Sequence, residues 1–70
     1  MTFRYFDYQG RPVRMTLDDK ELPERTEVWD RARKELVENT EIEADIFFDG
    51  REARTISEAE FEALLARLRG

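Results

Sequence analysis

Hydrophobic and polar positions alternate in two stretches of the chain, and each alternation runs into a glycine turn. Residues 3–8, FRYFDY, and 11–17, RPVRMTL, flank Gln9-Gly10-Arg11. Glycine supplies the positive φ that a tight turn between strands needs, so residues 3–17 predict an antiparallel hairpin. With a three-residue loop, Phe3, Tyr5, Val13, Met15 and Leu17 share one face. Arg4, Phe6, Tyr8, Arg14 and Thr16 then share the other, and a slip of one residue would swap the faces. The second alternation sets Ile42, Ala44, Ile46 and Phe48 against Glu41, Glu43, Asp45 and Phe47. Asp49-Gly50 follows, with a returning run from Arg51 to Ile56, and predicts a second hairpin over 42–56.

Two segments carry helical signals instead. Asp18 and Asp19 offer turn and capping oxygens, and Pro23 suits a first helical position, where its missing N–H costs nothing. A helix to about Asn39 would place Trp29, Ala32 and Leu36 on its apolar stripe, near Leu22 and Val28. Glu27/Arg31, Asp30/Lys34 and Lys34/Glu38 sit four apart and support its exposed side. Asn39-Thr40 reads as the stop. Ser57 with Glu60 three residues later forms a capping box, and Phe61, Leu64, Leu65 and Leu68 follow at helical spacing. The order is ββαββα, an α+β domain of two layers in which both helices cover one side of the sheet. Residues 8–14, YQGRPVR, also resemble 48–54, FDGREAR. Either a duplicated ββα unit or the convergence of two hairpins on similar turns accounts for that.

Composition narrows the chemistry. The chain has 70 residues, a net charge of −5, and neither cysteine nor histidine. Disulfides, cysteine- or histidine-ligated zinc, thiol nucleophiles and imidazole acid/base catalysis are removed together. A core this small is marginal, and small domains are often supported by a disulfide, a metal or a partner. With apolar residues on both faces of the first hairpin, this predicts a symmetric homodimer. No signal peptide or membrane-length apolar run is recognisable, and a cysteine-free chain suits a reducing cytoplasm.

Catalytic and metal signals are weak. No serine or threonine lies in a nucleophile motif, and a chain this short has little volume for a pocket, so no enzyme activity and no cofactor are expected. Asp45 and Asp49-Gly50 lack calcium-loop spacing, and no glycine-rich loop opens a helix. Trp29 reads as core. Two surfaces remain. The first hairpin brings Arg4, Arg11 and Arg14 together with Phe6 and Tyr8, a combination able to stack bases and hold phosphates. The net negative charge argues against such binding. The second surface is an acidic strip of Glu38, Glu41, Glu43 and Asp45, with Phe47 as an apolar anchor. On a strand its alternate acids project about 6.6–7 Å apart, comparable with phosphate spacing along nucleic acid.

The favoured expectation is a non-enzymatic interaction protein whose acids occlude a basic, nucleic-acid-binding surface of a larger protein. The alternatives are a small nucleic-acid-binding or regulatory domain using the Arg/aromatic hairpin, and an oligomeric assembly subunit. In size, acidity and lack of catalytic residues the chain is similar in kind to phage-encoded inhibitors of host defence such as anti-CRISPR proteins. That likeness implies an inhibitory binding role and carries over no particular residue.

Overall fold

The computed structural model describes residues 2–48 and 53–69. The first hairpin forms from β1 (Thr2–Tyr8) and β2 (Arg11–Leu17), but across a two-residue turn. Gln9 and Gly10 both take positive φ, 53° and 86°, as a type I′ turn requires. The Asp7 carboxylate accepts the Gly10 N–H at 2.7 Å. The shorter loop pairs Tyr8 with Arg11 and Phe6 with Val13. This corrects the expected register by one residue. Phe6 and Tyr8 now share a face with Val13, Met15 and Leu17, while Phe3 and Tyr5 move to the face of Arg14 and Thr16.

Residues 23–39 form a second hairpin where a helix was expected. It consists of β3 (Pro23–Asp30) and β4 (Glu35–Glu38). Asp30 turns the chain: its carboxylate accepts the N–H groups of Ala32 and Arg33 at 2.8 and 3.1 Å. Its carbonyl accepts the N–H of Lys34, which sits at φ 57°. Residues 41–48 are correspondingly helical where a strand was expected. Asn39, read above as a helix stop, is a start, since its side-chain oxygen accepts the Ile42 N–H at 3.0 Å and caps α1 (Thr40–Phe48). Glu41 and Glu43 in the first turn suit the positive end of the helix dipole. β5 (Ala53–Ile56) pairs with β1 rather than with residues 42–48. Asp49-Gly50 lies outside the described residues. α2 (Glu58–Arg69) opens on the expected capping box, with Ser57 and Glu60 bonded reciprocally at 3.2 and 3.1 Å.

The result is an α+β fold: a five-stranded antiparallel sheet in the order β4-β3-β2-β1-β5, with two helices. The element order is ββββαβα, so the sequence likeness around the two glycines does not mark a repeated ββα unit. The helices cover opposite faces rather than one. Ile42 and Ile46 of α1 pack with Phe6, Val13, Met15, Leu17 and Val28. Phe61 and Leu65 of α2 pack with Trp29, Ile56 and Tyr5, and the Tyr5 and Phe61 rings lie 4.7 Å apart. The apolar residues of the first hairpin are therefore largely covered from both sides by helices of the same chain, which removes one of the two motives for a dimer and leaves the small core as the other.

Polar groups tie these layers together. The Tyr5 hydroxyl donates to Glu58 of α2 at 2.9 Å, and the Tyr8 hydroxyl to Asp45 of α1 at 3.0 Å. Burial raises the Tyr5 phenol above its ordinary pKa of 10.0, and the Glu58 carboxylate raises it further. Pro12 has no N–H to offer the Trp29 carbonyl across the sheet, and the Arg11 guanidinium donates to it instead, at 3.2 Å.

Candidate protein-binding surface

The acids predicted as one strip do not line up. Because residues 41–48 coil into a helix, their side chains fan out around it at about 100° per residue. Glu43 turns toward the sheet, where its carboxylate accepts the hydroxyl of the fully buried Thr26 at 3.1 Å. Asp45 sits on the opposite flank as acceptor from Tyr8. Glu41 stays exposed, as does Glu38 at the end of β4. Phe47 belongs to the helix backbone, and its side chain lies outside what is described.

A different acidic surface emerges from the sheet topology. β4 runs from a turn carrying Arg31, Arg33 and Lys34, all exposed, to Glu38, which pairs with Glu27 midway along β3. The β2–β3 turn lies at the opposite end of β3 from those basic residues. There the Asp18 carboxylate accepts the N–H groups of Lys20 and Leu22 at 2.9 Å each, which leaves Asp19, Glu21 and Glu24 exposed. The ion pairs among the described residues are Arg14 and Arg25 with Glu27, the strand partner of Glu38, at 2.8 and 3.8 Å, and Arg54 with Asp7 at 3.3 Å. Among the described residues no ion pair reaches Glu35, Glu38, Glu41, Glu43 or Asp45, and no basic residue lies between 35 and 48.

Three large apolar side chains are exposed among the described residues. Phe3, Leu22 and Phe48 are 46, 49 and 83% exposed. Phe3 borders a hollow of about 410 Å3 with Thr16, Glu24, Arg25, Glu27 and Glu38. Leu22, Pro23, Ala44 and Phe48 line a second hollow of about 210 Å3 on the flank of α1, with Thr40 and Glu43. Neither is enclosed, and the second is smaller than sites that bury a drug-sized ligand, roughly 300–1,000 Å3.

No family model, curated protein or solved structure matches the chain. Its own geometry therefore carries the functional reading.

The alternative surface on the first hairpin is dispersed. Phe6 is buried in the core at 8% exposure, Arg11 is engaged with the Trp29 carbonyl, and Tyr8 holds α1. Arg14 lies on the opposite face, bonded to Glu27 through Nε and Nη2, with its guanidinium 6.0 Å from the Phe3 ring. Arg4 alone of the five remains exposed. No helix among the described residues is long and apolar enough to cross a membrane. Sequence reasoning missed Glu24, Leu22 and Phe48. The exposure of Leu22 has no sequence signal, but the outward position of Phe48 was implicit in the spacing, since residues 41, 44 and 48 share one helical face.

Proposed function

We propose that this protein is a non-enzymatic interaction module that places its acidic end on a basic surface of a larger protein, in the manner of an inhibitor occluding a nucleic-acid-binding site. The carrying observation is the exposure of Glu24, Glu38 and Glu41, which no ion pair reaches among the described residues, in a chain with no basic residue from 35 to 48. Clustered charge of one sign steers an oppositely charged partner and suppresses wrong ones. Glu38 and Glu41, with Glu24, are the acids free to act in this way. Glu43 and Asp45 support the fold through Thr26 and Tyr8 and add to the field.

Retention on immobilised polylysine and on heparin at low salt tests the reading. Retention on polylysine that weakens with salt and is lost in a Glu24→Lys/Glu38→Lys/Glu41→Lys variant is the expected result. Exposed charges cost little stability, so the variant should stay folded. Retention on heparin with indifference to polylysine would refute it. That outcome would favour the nucleic-acid-binding alternative, for which the exposed Arg31, Arg33 and Lys34 at the β3–β4 turn are the specific observation.

A further inference from the structure

We infer that the α1 hollow lined by Leu22, Pro23, Ala44 and Phe48 is the docking site for an apolar side chain of the partner, presented from an amphipathic segment flanked by lysine or arginine. This rests on the acidic-surface reading and adds where the partner sits and what, besides charge, it must carry. Phe48 and Leu22 are the two most exposed large apolar residues among those described, and both border this one hollow. Ala44, one helical turn before Phe48, is exposed and extends the apolar strip along α1. A volume of about 210 Å3 admits one or two apolar side chains but no sizeable small molecule.

The rim decides the occupant. Glu41 shares the outward helical face with Ala44 and Phe48, and Glu43 lines the hollow itself. A second copy docking symmetrically would set these carboxylates against their own counterparts, and like charges juxtaposed across an interface oppose association. An anionic membrane surface is disfavoured for the same reason. A basic amphipathic segment meets both requirements, since its apolar face enters the hollow while its cations reach the carboxylate rim. An apolar anchor surrounded by polar contacts is a common energetic layout of protein interfaces.

The probes are two synthetic peptides of equal charge and length, neither containing tryptophan. One is an amphipathic leucine–lysine helix, and the other has its leucines replaced by serine. Titration calorimetry with the intact protein should give at least about tenfold tighter binding of the leucine peptide, as expected for a buried anchor. Phe48→Ala and Leu22→Ala should each erode that preference without changing the affinity for the serine peptide. Glu38→Lys/Glu41→Lys should weaken both peptides. Circular dichroism checks that each alanine variant keeps the wild-type fold, so that a lost preference reports docking. Equal affinity for the two peptides, or a preference that survives both alanine variants, would overturn the docking site and leave the acidic reading standing. Failure of both peptides to bind at low salt would overturn both. A wild-type dimer in sedimentation that Phe48→Ala dissociates would assign the hollow to a second copy and likewise overturn the inference.

Discussion

The bond between Thr26 and Glu43 should be asymmetric in what its two halves cost. Thr26 is fully buried in β3, and its hydroxyl donates to a half-buried carboxylate on α1 at 3.1 Å. Glu43→Ala strands a buried hydroxyl, which costs about 1–3 kcal/mol. Thr26→Val removes the hydroxyl at nearly constant shape and leaves Glu43 able to turn to water, so it should cost less, about 0.5–1 kcal/mol. Once Thr26 is valine, Glu43→Ala has no buried donor left to strand. The double variant should then resemble Thr26→Val alone, a coupling of about 1 kcal/mol or more. Glu43→Gln retains an acceptor and serves as the control. Urea unfolding followed by Trp29 fluorescence reads the differences. Melting temperatures should move by roughly 4–8 °C per kcal/mol for a domain of this size. Equal costs for the two single variants, adding in the double, would refute the argument. The result also bears on function, because a charge reversal at Glu43 would report folding rather than binding.

Two further outcomes follow from local geometry. Gly10→Ala should destabilise by about 1–2 kcal/mol in chemical denaturation, because φ is 86° while nothing lies within 4 Å of the added methyl, so the cost is purely backbone. The phenol of Tyr5 is raised in the folded state, so its contribution is fully present below the unfolded value of 10.0 and is lost as pH rises through the folded one. Stability measured from pH 9 to 12 should therefore fall more steeply in wild type than in Tyr5→Phe, and parallel curves would contradict the assignment.

The ends of this fold were legible and its middle was not, for identifiable reasons. Gln9-Gly10 and the Ser57–Glu60 capping box act through bonds to their immediate neighbours, so sequence reads them directly. β3 escaped because it is covered by a helix on each face. Val28 and Trp29 are adjacent, point to opposite sides and are both buried, so the period-2 signal of a half-exposed strand is lost. Charged residues spaced four apart, Glu27/Arg31 and Asp30/Lys34, then imitated a helix. In the structure Asp30 instead accepts two amides of the turn, and Glu27 pairs with Arg14 across the sheet. Asn39 was ambiguous in principle, since asparagine is found at both ends of helices.

The misreading of α1 and the candidate surface have one origin. Ile42, Ala44, Ile46 and Phe48 alternate with other residues, and alternation is a strand pattern. A strand would have turned all four to one side. The helix divides them, sending Ile42 and Ile46 to the core and leaving Ala44 and Phe48 outside. Phe48 at 83% exposure, a half-exposed leucine and nearby carboxylates thus border one hollow on α1. Departures from local consistency in natural sequences concentrate at functional sites. The two positions that spoil the helical pattern of α1 are also the two it contributes to the apolar lining of the hollow. The segment whose alternation misreads its own secondary structure is therefore the one on which the proposed docking site rests.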